Sequence, residues 1–368
     1  MTNLSYSVKQ DRENLLDLRP ADVIARLRAF AAEHDVAAYR ANQAARRLWT
    51  TPVQSFAEIA ELPAAFRLQL DATFVLPRLA LVTRQQSADG TQKFLFRLPD
   101  GESVETVTIP DGNRLTACIS SQAGCALQCA FCATGAMGFA RNLAPWEIAG
   151  QVRELMLLDP PLRPTNVVFM GMGEPMMNWR NVDVALTLLN DPAAIGIGAR
   201  HITVSTVGVL PGIEALAARP EQFRLAISVH APLDALRQKL MPINTKYPLA
   251  GVIAAARRFV RRVTFEYVLL GGVNDTPDHA VRLAALATEC GAFVNLIPLH
   301  PGGSRGFSQS TPGATAVFAR TLRTRGVEVA VRRSRGLDIS AACGQLRVER
   351  LGRRPPTRAH EDADVHVA

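Results

Sequence analysis

The chain has 368 residues, of which 48% are hydrophobic and 20% charged, a composition that excludes a disordered protein and permits one large domain with a smaller appendage. No run approaches the roughly 20 apolar residues of a membrane span and the first residues lack a signal-peptide core, so we expect a cytoplasmic protein without membrane contact. Six cysteines are too few for a disulfide scaffold, and the net charge of +8 favours a polyanionic partner.

The first part of the chain has helical periodicity. Apolar residues such as Val23, Leu27 and Phe30 recur at the spacing of one helix face, which predicts a small helical domain over residues 1–77. The pattern then changes to alternation, and the segments FLFRL, PDGE and SVETVTI together predict a β-hairpin. We assign residues 78–112 to a connector built on this hairpin.

Six β-rich runs follow, separated by helical patterns. They are LTACIS, NVVFMG, HITVST, FRLAISV, VTFEYVLL and FVNLIPL. Strands that alternate with helices predict a parallel sheet with right-handed crossovers, and hence an α/β fold. Because ligands of such folds bind at the carboxyl ends of the strands, the residues that follow each run are the candidate site residues.

Three cysteines follow the first of these strands, in the run CALQCAFC. Cys125, Cys129 and Cys132 have the spacing CxxxCxxC. A structural zinc site needs four ligands, and neither a second cysteine pair nor a nearby histidine supplies the fourth. Three thiolates on a four-iron cluster would instead leave one iron free to bind a substrate or cofactor. The spacing therefore favours an iron-sulfur cluster, with a zinc knuckle as the alternative.

The longer run SSQAGCALQCAFCATGAMGFARNL resembles the cluster loop of radical S-adenosylmethionine (SAM) enzymes, and more narrowly the RlmN family. The resemblance extends from YRANQAARRLW to AACGQL. It implies a partial (β/α)6 barrel over residues 113–346, an RNA-binding role for the helical domain, one [4Fe-4S] cluster and SAM. It also implies methylation of adenosine C2 in 23S rRNA and tRNA, an electron donor such as flavodoxin or ferredoxin, and a monomer. RSRGLD looks more like this C2 group than like the related Cfr type, which methylates C8.

Further strand ends match the family's SAM site. The run GMGEPMMN contains Gly173 and Glu174, where glycine permits close approach of a ligand and a carboxylate can accept hydrogen bonds from an ammonium group. The runs VSTVG and ISVHAP add, by the same resemblance, Ser205, Ser228, Val229 and His230. The sixth strand ends in NLIPLHP, where the family usually has asparagine and this chain has His300.

The resemblance also implies three catalytic residues. In AACGQL the cysteine, here Cys343, would carry a methyl group as S-methylcysteine, and Cys118 would resolve the thioether that joins protein to RNA. Glu105, in SVETVTI, matches a position proposed as the proton acceptor. Adenine C2 is electron-poor and cannot attack a sulfonium methyl group as a nucleophile, so a radical route with two SAM molecules per turnover is expected. Cys290 matches no motif and is interpreted as an inert thiol.

Arginines cluster near the end of the chain, without a single lysine. They are Arg320, Arg323, Arg325, Arg332, Arg333, Arg335, Arg347, Arg350, Arg353, Arg354 and Arg358. The planar guanidinium suits phosphate, so we interpret the cluster as an RNA-binding patch, with a solvated basic surface as the alternative. Residues 347–368 are predicted to be a basic, disordered tail.

Overall fold

The computed structural model describes residues 12–300, 306–332, 335–341 and 346, and its fold is α/β, as predicted. Its strands are β1 (Glu13–Asn14), β2 (Phe74–Val75), β3 (Ala80–Gln86), β4 (Gln92–Arg97), β5 (Ser103–Asp111), β6 (Arg114–Cys118), β7 (Gln122–Gly124), β8 (Phe139–Asn142), β9 (Asn166–Phe169), β10 (Ile202–Thr206), β11 (Arg224–Ser228), β12 (Thr264–Leu269), β13 (Phe293–Pro298) and β14 (Val329–Val331).

The helices alternate with the later strands. They are α1 (Pro20–Glu33), α2 (Tyr39–Trp49), α3 (Ala64–Thr73), α4 (Ala133–Ala136), α5 (Pro145–Met156), α6 (Trp179–Asn190), α7 (Leu210–Ala217), α8 (Asp234–Leu240), α9 (Leu249–Arg258), α10 (Pro277–Cys290) and α11 (Pro312–Thr324). None of the helices in the described ranges is long and apolar enough to cross a membrane.

One ten-stranded sheet organises the chain, in the order β14-β13-β12-β11-β10-β9-β6-β5-β4-β3. The strands from β14 to β6 run parallel, and those from β6 to β3 run antiparallel. The six predicted strands are β6 and β9 to β13, and the short strand β14 was not predicted. The predicted hairpin is β4 and β5, which extends the same sheet because β5 pairs with β6.

The N-terminal helices pack on this sheet through α5, which is buried on all its faces. Val23, Leu27 and Phe30 are buried in α1, as the periodicity predicted. The buried Arg153 of α5 donates through Nε to the carbonyl of Leu48 at 2.8 Å, and so links α5 to the end of α2. The domain limits at residues 77, 112 and 346 stay a prediction.

Strand register places three polar residues side by side in the parallel half of the sheet. Ser228 of β11 is opposite Glu266 of β12, and Glu266 is opposite Asn295 of β13. Side chains alternate between the faces of a strand, so these three share one face. Ser228 and Glu266 both line the cavity described below, which identifies this face as the interior one.

The segment of residues 335–341 rests on the β3–β4 hairpin. The backbone N–H of Gly336 donates to Asp89 Oδ2 at 3.0 Å, and Lys93 Nζ donates to the carbonyl of Ser340 at 3.5 Å. Gly336 has φ +61°, and a Cβ there would lie 2.8 Å from the Cβ of Ala341. Glycine therefore permits the tight turn that begins this segment.

Candidate functional site

A cavity of about 500 Å³ opens at the carboxyl ends of the parallel strands. Its walls include the cysteine loop after β6, the loop after β9 and the ends of β10 to β13. This is the position at which ligands of parallel α/β folds bind. Ala341 and Leu346 also line it, so the C-terminal part of the chain contributes to the same cavity.

The three predicted cysteine ligands line this cavity together. A two-stranded ribbon of β7 and β8 holds the loop that carries them, and the N–H of Cys125 donates to the carbonyl of Gly138 at 2.8 Å. The N–H of Cys132 donates to the carbonyl of Cys129 at 3.0 Å, which closes a turn between the last two cysteines. Among the described residues no group of three or more His, Cys, Asp or Glu side chains could hold a single metal ion.

Two of the three cysteine thiols in this loop resist ionisation because they are buried. Burial raises the pKa of the Cys125 thiol to about 11, and it raises the pKa of Cys129 still further, with smaller contributions from the neighbouring cysteines. Three thiolates are stable here only beside a compensating positive charge, because burial disfavours the thiolates of Cys125 and Cys129 and the three negative charges repel one another. Iron supplies that charge, so this donor set fits an iron-sulfur cluster.

Gly173 and Glu174 lie beside the cysteines in the cavity wall. Gly173 has φ +98°, and a Cβ there would lie 2.5 Å from the Cβ of Gln122, so only glycine fits. The Glu174 carboxylate accepts from the N–H groups of Met176 at 3.0 Å and Val207 at 2.9 Å. Burial nevertheless raises the pKa of Glu174 to about 7. A cation at this carboxylate would favour its ionised form, which suits an ammonium ligand.

His230 follows β11 in the left-handed region, with φ +54°, and lines the cavity. Burial and, to a smaller degree, Arg237 lower its pKa to about 3, so the imidazole is neutral at physiological pH. Nδ1 accepts a hydrogen bond from the N–H of Val268 at 3.0 Å, which places the proton of the neutral ring on Nε2. His230 can therefore act as a fixed hydrogen-bond donor.

The other predicted SAM residues divide into two groups. Ser205, Ser228 and His300 line the cavity. Val229 does not appear in its lining: the side chain is buried in the core, and its N–H and C=O bond to the Glu266 carbonyl at 3.0 Å and Arg237 Nε at 3.3 Å. Its role in cofactor binding stays a prediction.

His300 makes a contact that explains how this chain can carry a histidine at that position. Its Nε2 lies 3.1 Å from the carbonyl of Leu337. Since a carbonyl only accepts, Nε2 is the donor in this contact, and the ring connects the end of β13 to the segment of residues 335–341. The assignment of His300 to the cofactor stays a prediction.

The two predicted catalytic residues before the cysteine loop lie on one face of neighbouring strands. Val107 is opposite Cys118 in the β5–β6 pair, so Glu105, two residues earlier, shares the face of Cys118. Both side chains are buried, and neither belongs to the described cavity lining. Cys343 lies outside the described residues.

Lys93 is an ion-pair partner of Glu105 that the sequence did not reveal. Its Nζ lies 3.2 Å from Glu105 Oε1, and the side chains are 12% and 5% exposed. We expect Lys93→Met to lower the free energy of unfolding by about 3 kcal/mol, because the substitution removes a cation from the side of a buried carboxylate. Urea denaturation measures this, with Lys239→Met, an exposed lysine, as the control. Equal losses in both variants would contradict the importance of this pair.

Arg237 is a second residue that sequence reasoning missed. It is fully buried in α8 and donates through Nη2 to the carbonyl of Val207 and through Nη1 to Asn244 Oδ1 at 2.6 Å. Burial lowers its pKa to about 10, so it remains charged at neutral pH. It fixes the loop after β10 to α8. The sequence of α8, DALRQKL, gives no sign of this role, because which of its residues are buried depends on tertiary packing.

The arginine cluster is divided in the structure. Arg320, Arg323 and Arg325 are exposed on and after α11, whereas Arg332 and Arg335 line the cavity. The remaining predicted members lie outside the described residues. Two members of the predicted patch therefore lie at the candidate site.

Comparison with known proteins identifies the chain. The Radical SAM superfamily model matches residues 119–284. A protein from Gemmatimonas aurantiaca named probable dual-specificity RNA methyltransferase RlmN is 68% identical over 355 residues, which cover 96% of this chain and 99% of that protein. The RlmN of Anaeromyxobacter dehalogenans is 46% identical and aligns with 84% of this chain and 86% of its own.

A solved structure agrees with these matches. The crystal structure of a radical SAM methyltransferase from Sphaerobacter thermophilus superposes with a TM-score of 0.84 at 42% identity, covering 91% of this chain and 99% of that one. The chain therefore belongs to the RlmN family of radical SAM RNA methyltransferases.

Proposed function

We propose that this enzyme methylates C2 of a specific adenosine in 23S rRNA and of the adenosine 3′ of the anticodon in tRNA, through an S-methylcysteine intermediate. The observation that carries the proposal is the shared cavity. The three cysteines, Glu174 and the strand-end polar residues line it, and so do Ala341 and Leu346, which flank Cys343 in sequence. This shared lining supports a single site for the cluster loop, the SAM motif and the proposed methyl-carrier segment.

The cofactor residues have separate roles in this proposal. Cys125, Cys129 and Cys132 hold the cluster, and Glu174 accepts hydrogen bonds from the ammonium group of SAM. Ser205, Ser228 and His230 orient the rest of that molecule, His230 as a donor. When bound, the [4Fe-4S] cluster and SAM supply the methyl group, the electron and the radical that removes a hydrogen atom from the carried methyl group. A flavodoxin or ferredoxin is the proposed electron donor.

The chain's own residues carry out the steps that follow. Cys343 carries the methyl carbon, which becomes a thioether bridge to C2 of adenine. Glu105 accepts the proton that C2 loses, and Lys93 holds its carboxylate. The electron that the ring radical loses together with this proton would pass to the bound cluster. The Cys118 thiolate then attacks the sulfur of Cys343, so that the bond from sulfur to the methylene breaks and a Cys118–Cys343 disulfide forms. The electron pair remains on the methylene, which takes a proton and leaves RNA with a methyl group.

Methyl transfer to RNA tests this function directly. Anaerobically reconstituted protein is incubated with reductant, SAM labelled in its methyl group, and separate transcripts of a 23S rRNA fragment and a tRNA. We expect label in both RNAs, and none with Cys129→Ala, which removes one cluster ligand. Absence of label from both RNAs with cluster-loaded wild-type protein would contradict the proposal.

The arginine cluster near the end of the chain predicts a salt-dependent affinity for RNA, because neutralised phosphates release counterions. Arg332→Ala together with Arg333→Ala should reduce the slope of log affinity against log salt by up to about 1.4, as expected for two phosphate contacts. Filter binding at several salt concentrations measures the slope. The matched control is Arg257→Ala with Arg258→Ala, a neighbouring exposed pair on α9. An unchanged slope in the first variant would mean that these arginines do not contact phosphate.

A further inference from the structure

Glu266 is a buried carboxylate in the cavity wall that the proposed reaction does not use. It lies in β12, is 4% exposed and lines the cavity. Its register neighbours are Ser228, which the proposed function assigns to SAM, and Asn295. A lone charged residue inside the apolar run VTFEYVLL is unusual, because burial of a charge costs free energy unless it is paired.

The two carboxylate oxygens of Glu266 have different surroundings. Oε1 accepts a hydrogen bond from Asn295 Nδ2 at 2.9 Å. Oε2 is buried and has no hydrogen-bond partner among the described residues. Arg332 Nη1, an ion-pair partner of Oε2, lies 4.0 Å away, which is too long for a hydrogen bond. One side of the carboxylate is therefore fixed, and the other side lacks a donor.

The missing donor should be a neutral group. Arg332 already supplies a positive charge near Oε2, so a ligand ammonium group would be repelled there. The ammonium group of SAM is instead assigned to Glu174, the carboxylate beside the cysteine loop. A hydroxyl donates a hydrogen bond without added charge. Carboxylates commonly bind ribose hydroxyls in this way in nucleotide-binding sites.

We propose that Glu266 accepts a hydrogen bond from a ribose hydroxyl of an adenosine nucleoside bound in this cavity, with Asn295 positioning the carboxylate. This inference rests on the proposed function for the presence of such a nucleoside. Two ligands carry the same chemistry, the ribose of SAM and the ribose of the target adenosine in RNA. Burial raises the pKa of Glu266, and Arg332, 4.0 Å from Oε2, opposes that rise in both cases.

Removal of the hydroxyl and of the carboxylate, separately and together, tests the contact. Affinities of cluster-loaded protein are measured by calorimetry for S-adenosylhomocysteine, which has no methyl group to transfer, and for its 2′-deoxy and 3′-deoxy analogues. We expect the wild-type protein to bind one of the analogues about 10-fold or more weakly than S-adenosylhomocysteine, a factor that corresponds to a hydrogen bond to a charged group. For Glu266→Met, the affinity difference between S-adenosylhomocysteine and the same analogue should be less than about 3-fold.

Three comparisons complete the design. Glu266→Gln preserves the contact with Asn295, and its affinity loss on removal of the hydroxyl should lie between those of the wild-type and methionine proteins. This variant keeps the test valid if the methionine variant misfolds. Glu328→Met, an exposed glutamate paired with Arg262, should behave as wild type. The same protein set is tested for binding of RNA with 2′-deoxyadenosine at the target, because a loss confined to that ligand assigns Glu266 to the substrate ribose.

The outcomes separate the two levels of the proposal. The affinities of the wild-type and Glu266→Met proteins could fall by equal factors with every analogue and with the modified RNA. In that case Glu266 binds no ribose hydroxyl and the inference is wrong, although the proposed function stands. If the loaded wild-type protein binds neither S-adenosylhomocysteine nor RNA, the proposed function fails and this inference fails with it.

Discussion

Cys118→Ala protein is expected to accumulate covalently joined to RNA during the methylation reaction. Methylation of Cys343, removal of hydrogen and addition to the base do not require Cys118, but no thiolate remains to attack the sulfur of the thioether. Cys118 is 6% exposed on the interior strand β6, on the face that it shares with Glu105. Denaturing electrophoresis should show a band that survives denaturation and disappears after nuclease treatment.

Cys343→Ala should give a different result, because it removes the methyl carrier. RNA should remain unmodified and free, with methyl transfer reduced by at least about 1,000-fold. Cys290→Ala is the matched control: that thiol is half-buried, its pKa is raised to about 11 by burial, and it should have no effect on turnover. Normal turnover by Cys118→Ala, or the same adduct from Cys343→Ala, would contradict the division of roles between these cysteines.

Gly173→Ala is expected to abolish measurable SAM binding, with an affinity loss of at least about 100-fold. The added Cβ would lie 2.5, 2.7 and 2.8 Å from the Cβ, Cγ and N atoms of Gln122, and φ +98° is unfavourable for alanine. Gln122 Oε1 accepts the N–H of Glu174 at 2.8 Å, so displacement of Gln122 also moves the carboxylate proposed to bind the ammonium group. Equilibrium dialysis with loaded protein measures the loss.

Gly101→Ala is the control for backbone strain. Gly101 has φ +90°, close to that of Gly173, but its Cβ would meet no atom within 4 Å. Both variants should lose about 1 to 3 kcal/mol of stability from strain, and only Gly173→Ala should also lose the cofactor. Wild-type SAM affinity in Gly173→Ala would show that the cofactor does not bind against this turn.

The parts of the fold that were predicted from sequence are those with local patterns. The six strands after residue 112 each combine a short apolar run with a neighbouring helical pattern, and Gly101 lies in the PDGE turn between β4 and β5. Strand β14 was missed because three residues carry too little periodicity. Its pairing with β13 is what extends the parallel sheet beyond the six predicted strands.

The candidate site shows the same division between local and tertiary information. The cysteine and GE motifs could be found because their chemistry depends on close spacing in sequence. The positions of Glu266 and Arg332 could not, because they meet through strand register and packing across 66 residues of sequence. The charge of Arg332 suggested a surface patch, but the end of β14 turns it into the cavity. Val229 was assigned to the cofactor by its motif, yet its side chain packs in the core.

The central claim, methylation of adenosine at C2, is tested most directly by mass spectrometry of nucleosides from RNA after reaction. Synthetic 2-methyladenosine and 8-methyladenosine serve as standards, because the two products have equal mass and must be separated by chromatography. We expect 2-methyladenosine from the wild-type protein and none from Cys343→Ala. Only 8-methyladenosine would move the enzyme to the Cfr type, and only unmodified adenosine from fully loaded wild-type protein would contradict the proposed reaction.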